Sequence, residues 1–214
     1  MIDPALLSAY IASRICHDVV SPVSSVTSAL DLLNDPNDAE MRASAEELLH
    51  KGASDAAARI EFLRYAYGTI GLSDGAADIH DAKRLTERFA ATHKPSLEWD
   101  IETDHLSFSH ARLMMNLVLM GIDCLPRGGV IAVKIRNESD GLMIQVQARG
   151  MRARLNPHLV AAIEGGEPEE GWSARTIQPV FGCMIADGLG ARVSAQPSGE
   201  EEITVMARGI RAEG

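Results

Sequence analysis

The sequence predicts an α+β protein, a long N-terminal helical hairpin followed by an α/β sandwich. Three observations lead there. Apolar side chains recur close to every 3.6 residues through the first seventy positions. A dense cluster of turn formers, Asn34-Asp35-Pro36-Asn37-Asp38, cuts that region in two. Further on, Val130–Ile135 and Leu142–Val146 alternate apolar and polar with the period of a strand.

The first helix starts at Asp3-Pro4, where aspartate can cap and proline is tolerated at the first helical position. Its stripe runs Ile11, Ile15, Val19, Val23, Val26, Leu30, Leu33. After the turn cluster a second stripe runs Met41, Ala45, Leu48, Gly52, Ala56, Ile60, Leu63, Tyr67, Ile70, with Gly71 placed to end the helix. Each helix is ~30 residues, or roughly 45 Å. Two such helices cannot cover each other's apolar stripes. A second copy of the hairpin would complete a four-helix bundle about a two-fold axis, so the expected state is a homodimer.

Leu72–Ala76 reads as a short linker, dividing the chain into a hairpin over 1–72 and a second unit over 77–214. In the second unit the patterns predict helices near 80–93, 107–125, 155–164 and 173–188. Strands are predicted near 97–102, 130–137, 141–148, 190–197 and 201–208. Helices interleaved with mostly antiparallel hairpins give a sandwich with its helices on one face.

Composition narrows the function. The net charge is −10, from 30 acidic and 20 basic residues. No Lys/Arg-rich run offers phosphate contacts, so direct nucleic-acid binding is not expected. Apolar residues reach 46% with only 4% aromatic, which suits helix packing. Cys16, Cys124 and Cys183 lack disulfide or zinc spacing and read as reduced thiols. The N-terminus does not look like a signal peptide, and no stretch approaches the ~20 apolar residues of a membrane span. The expectation is a cytoplasmic protein without membrane contact. Of the other histidines, His105 and His110 flank a helix start, where capping or exposure is commoner than metal binding. The glutamates at 167–170 read as a solvated loop, and Met114, Met115 and Met120 as core.

The most informative residue is His17. Two positions from Ile15 and two from Val19, it lies about 200° from the core stripe, with Ser13, Ser21, Ser24 and Ser28 on the same outer face. An imidazole on a strip of small hydroxyls leaves room for another protein, and histidine offers a neutral nitrogen nucleophile near neutral pH. The neighbouring Asp18 could fix one ring tautomer and stabilise positive charge on the ring. Pro22 removes a backbone hydrogen bond one turn further along and should kink the helix.

His17-Asp18-Val19-Val20-Ser21-Pro22 resembles the phosphoacceptor box of dimeric histidine kinases, in the first of two long helices as in their phosphotransfer domains. The second unit resembles their ATPase domain in a degenerate form. Arg112–Leu119 looks like the nucleotide-box helix, Leu125–Gly129 like the segment after it, and Gly188–Ala207 like the closing strands. The departures matter. Met120 stands where a second metal-holding Asn is usual. Val146–Met151 stands in place of the Asp-x-Gly-x-Gly loop, with the Asp absent and only Gly150 left. The whole resembles stand-alone histidine phosphotransferases, the Bacillus sporulation type and, more closely, the ChpT type of the alphaproteobacterial cell-cycle relay.

That resemblance implies a phosphoryl carrier that binds no ATP and holds no cofactor, with Mg²⁺ expected on the partner receiver domain. His17 would accept the group from the receiver of a CckA-like hybrid kinase and pass it to CtrA-like and CpdR-like receivers. Receivers would dock along the hairpin near Ser13, Arg14, Ser21, Ser24, Ser28, Arg59 and Arg64. Arg14 has three readings, steering an acidic receiver, touching the phosphoryl group, or solvated surface; Ser21 has two, a hydrogen bond to the phosphoryl group or simple clearance. Two rival functions stay open, an active kinase with a divergent nucleotide site and a non-catalytic bundle scaffold.

Overall fold

The structure is a computed structural model that describes residues 2–34, 39–68, 76–103 and 106–211. Helix α1, Pro4–Leu33, begins where the sequence places it, with the Asp3 carboxylate accepting from the Ala5 and Leu6 amides. Helix α2 is Ala39–Tyr67. The turn residues 35–38, Ile70, Gly71 and the linker positions 72–75 lie outside the described residues, as does His105.

The second unit adds β1 (Ala76–Ala77), α3 (Ile79–Ala91), β2 (Ser96–Ile101), β3 (Leu106–Ser107), α4 (Phe108–Asp123), β4 (Val130–Glu138) and β5 (Gly141–Arg149). It continues through α5 (Pro157–Ile163), α6 (Ile177–Gly188), β6 (Arg192–Gly199) and β7 (Glu202–Ile210). Strand order in the main sheet is β2-β4-β5-β7-β6, with β2 parallel to β4 and every other pair antiparallel. The two-residue strands β1 and β3 pair separately. Alternation puts Ile131, Val133 and Ile135 on the covered face of β4, beside Ala148, Val146 and Ile144 of β5. Helices α3, α4, α5 and α6 pack on that one face. His110 closes a capping box with Ser107 at the head of α4, and Met114, Met115 and Met120 are fully buried.

The two periodic stripes of the hairpin are only partly covered. Pro22, Ala29, Ala45 and Gly52 are buried between the helices. Val23, Leu30, Met41 and Ile60 of the stripes are 45 to 50% exposed in the single chain, in line with two helices that cannot cover each other's apolar faces. A 3.6 period identifies an apolar face without saying which part of its arc meets the partner helix. Along the seam α1 and α2 approach closely where Gly52 faces Pro22. A Cβ on Gly52 would stand 3.1 Å from the Pro22 carbonyl oxygen and 3.0 Å from Val26 Cγ2.

The lower end of α2 shares one core with the second unit. Phe62 stacks on Phe89 of α3 with ring centroids 4.0 Å apart, and Tyr67 meets Phe181 of α6 at 5.3 Å. Ile11, Ile15 and Val19 of α1 pack on the same core. His93, just past α3, tilts against Phe89, and its Nδ1 lies 3.1 Å from the Phe89 carbonyl oxygen. Burial lowers the His93 pKa, with Arg59 adding to the effect against the Phe89 contact.

Two outcomes follow. Gly52→Val should cost about 1–3 kcal/mol by overpacking, because the carbonyl it meets is fixed backbone, and chemical denaturation measures it. Burial biases His93 toward its neutral form, so the folded form binds its proton less readily than the unfolded chain. The stability linked to it is complete above the ordinary value of 6.5 and is lost as pH falls from there through the lowered folded value. Urea midpoints taken from pH 7.5 down to pH 5 should therefore fall further in the wild type than in His93→Gln.

Candidate functional site

Helix α1 carries His17 outward. Its side chain is 62% exposed, and Ser13, Ser21, Ser24 and Ser28 are all exposed with it. Residues three and four apart share a helix face, so this is one continuous neutral strip. The next part of the surface holds Val20, Val23 and Leu30, at 59, 46 and 47% exposure.

Asp18 is sequestered beside the exposed ring, with its side chain only 13% exposed. His17 Nδ1 lies 3.2 Å from Asp18 Oδ1. An ionised carboxylate only accepts, so Nδ1 carries the proton and donates. The Nε2 lone pair of the neutral ring is then left facing solvent. The second carboxylate oxygen accepts from Arg14 Nε at 2.9 Å, and Arg14 is itself 14% exposed. Burial alone would lower the Arg14 pKa, but the charges of Asp123 and Asp18 together hold it above the usual value. Arg14 therefore turns inward to neutralise Asp18, which departs from its expected place on an outer docking surface. Burial also raises the pKa of the neighbouring Tyr67 phenol, keeping it neutral.

The two arginines of α2 differ. Arg64 is exposed. Arg59 is half-buried, and its guanidinium donates to the Asp18 main-chain carbonyl at 2.7 Å and to Thr92 at the end of α3. The sequence offered no sign of this, because Asp18 and Thr92 lie 41 and 33 residues from Arg59.

The nucleotide-box-like helix α4 faces the end of α2. A helix leaves its last four carbonyls unpaired. Here Arg112 Nε and Asn116 Nδ2 donate to the Ala66 carbonyl at 3.2 and 3.0 Å, and Arg112 Nη2 donates to that of Tyr67 at 3.3 Å. Asn116 is fully buried, and its carbonyl oxygens accept from Gln178 of α6. Met120 fills the gap to the same helix, its Cε 2.3 Å from where a Cβ on Gly182 would stand. The spacing of Arg112 and Asn116, two polar residues one turn apart in an apolar helix, was the available signal for this clamp. Gln178 gave none.

Gly150 is held in a similar way. A Cβ there would come within 2.4 Å of the Gly128 carbonyl oxygen, so the glycine serves a tight backbone crossing. Among the described residues no group of three or more His, Cys, Asp or Glu side chains is arranged to hold a metal ion. No described helix is long and apolar enough to cross a membrane.

A family model described as the histidine phosphotransferase C-terminal domain matches residues 79–212. The protein phosphotransferase ChpT of Brucella abortus (strain 2308) is 29% identical over 195 residues, covering 91% of this chain and 92% of that protein. A bacterial phosphotransferase of known structure superposes with a TM-score of 0.86 at 27% identity, covering 97% of this chain and 98% of the other.

Proposed function

The chain belongs to the histidine phosphotransferase family, and from that premise we propose that it carries a phosphoryl group on His17 between receiver domains without binding ATP. The observation that carries this reading is the exposed imidazole whose Nδ1 is engaged by a sequestered, neutralised Asp18.

The chemistry follows from that tautomer. His17 Nε2 attacks the phosphorus of a receiver's aspartyl phosphate. The N–P bond forms as the P–O bond to the carboxyl oxygen breaks, and that bonding pair leaves with the aspartate. The Nδ1 proton stays, so the phosphorylated ring is cationic and keeps its hydrogen bond to the Asp18 carboxylate, which Arg14 also holds. The same step run in reverse onto a second aspartate completes the relay. Such transfer depends mainly on alignment and charge neutralisation, with Mg²⁺ expected on the receiver. The neutral serine strip lets an acidic receiver approach to bonding distance. By the resemblance of the His17–Pro22 box, the upstream receiver is CckA-like and the downstream receivers are CtrA-like and CpdR-like.

Three features support the absence of ATP from the cycle. Asn116 is buried and bonded within the chain, Met120 packs onto Gly182, and Gly150 crosses Gly128. Exposed Val20, Val23 and Leu30 on α1 support a homodimer in which a second hairpin covers them.

Mixed with a phosphorylated receiver domain, the wild type should take up label and His17→Ala none. Asp18→Asn should slow uptake on the order of 10²-fold, since the ring loses its anionic partner. Micromolar binding of an ATP analogue would instead revive the kinase reading. Val23→Glu with Leu30→Glu should halve the mass measured by light scattering while far-ultraviolet circular dichroism stays helical.

A further inference from the structure

We propose that Arg59 is a positioning residue for the phosphoacceptor turn, receiving the Asp18 carbonyl that Pro22 leaves unpaired and tying it to the end of α3. The inference rests on the phosphotransfer reading of His17 and adds a residue that the histidine box does not contain.

Its starting point is the backbone. In a continuous α-helix the amide of residue 22 would donate to the carbonyl of residue 18. Pro22 has no N–H, and its ring crowds that same carbonyl. The oxygen affected therefore belongs to the residue that holds the His17 ring. Arg59 Nη1 supplies the missing donor at 2.7 Å. The rest of the fork is also engaged, Nε with Thr92 Oγ1 and Nη2 with the Thr92 carbonyl, both at 3.1 Å. Thr92 Oγ1 in turn donates to the Phe89 carbonyl at 2.8 Å, and Phe89 stacks on Phe62.

Asp18 is thus fixed twice by different elements. Its carboxylate is held by Arg14 of α1, and its main chain is held by Arg59 of α2, which Thr92 at the end of α3 fixes in turn. The carboxylate sets the tautomer of His17, whereas the main-chain contact sets where that turn of α1 sits against the C-terminal unit. A planar guanidinium can hold three acceptors in fixed directions; a lysine ammonium is a point charge on a flexible stem and cannot. The role also accounts for an arginine that is half-buried near a docking face yet turned away from it.

The test uses the full-length chain and reads two quantities. Asp18-Val19 is the sole Asp-Val pair in the sequence. Protein labelled with ¹³C-carbonyl Asp and ¹⁵N Val therefore gives one cross-peak that reports the Asp18 carbonyl. Arg59→Met should move that signal, and the same change made in a Pro22→Ala background, where an intrahelical donor returns, should move it little. In label transfer from a phosphorylated receiver, Arg59→Met should lower the saturating rate about 10-fold or more, as expected for a displaced nucleophile. The receiver concentration at half-saturation should stay within about twofold. In the Pro22→Ala background the loss in rate should shrink to about twofold or less, since the shared partner is gone. Arg59→Lys, which keeps the charge, should not restore the rate, and it replaces Arg59→Met should the latter lose its helical circular dichroism.

Equal losses in both backgrounds, an unmoved carbonyl signal, or an effect confined to the half-saturating concentration would each overturn the proposal. The last of these makes Arg59 a docking residue. A wild type that takes up no label overturns the phosphotransfer reading instead, and the carbonyl signal then decides the Arg59 contact alone.

Discussion

Carbonyl groups left without helical partners decide how the two parts of this chain meet. A buried carbonyl with no donor costs about 1–3 kcal/mol, so each must find one. The Ala66 and Tyr67 carbonyls at the end of α2 find theirs on α4, in Arg112 and Asn116. The Asp18 carbonyl, freed inside α1 by Pro22, finds Arg59, whose guanidinium also reaches Thr92 of the second unit. Apolar packing of Phe62 on Phe89 and of Tyr67 on Phe181 brings the surfaces together. It is non-directional and would tolerate several rotations. The directed hydrogen bonds select one of them, and that selection fixes where His17 faces relative to the rest of the fold.

Around His17 the charges suit the acidic receiver proposed for it. The whole chain carries −10, which does nothing to attract a second acidic protein. Locally the picture differs. Asp18 is neutralised by Arg14 and withdrawn from solvent, while the outward strip consists of serines. The titratable group on that strip is the imidazole, 62% exposed. The proposed receiver would therefore meet hydroxyls and a ring nitrogen, with the Asp18 carboxylate withdrawn behind the ring it orients.

Much of this was legible beforehand because it is local. Asp3-Pro4 caps α1, alternation marks β4 and β5, and the offset of His17 from the Ile15–Val19 stripe places it outward. What was not legible is set by partners distant in sequence. Val23, Leu30, Met41 and Ile60 share the periodicity of buried positions, yet the arc of contact with the other helix misses them. The two-residue strands β1 and β3 are too short to show a period. Arg14 and Arg59 look alike in the sequence as basic residues on the two helices of the hairpin that carries the histidine. Only the fold reveals that one neutralises a side chain and the other supplies a missing backbone donor.

The same reasoning explains how a fully buried asparagine persists in α4, the helix that resembles a nucleotide box. A buried asparagine without partners would be an amide with open donors and acceptors, less stable there than leucine. Asn116 avoids that because the end of α2 offers a carbonyl at the right place and Gln178 offers a donor. A single residue type thus satisfies a helix end and bridges two further helices. Seating a ligand on Asn116 would require breaking those bonds, so the clamp that fastens the hairpin competes with any such use of the helix.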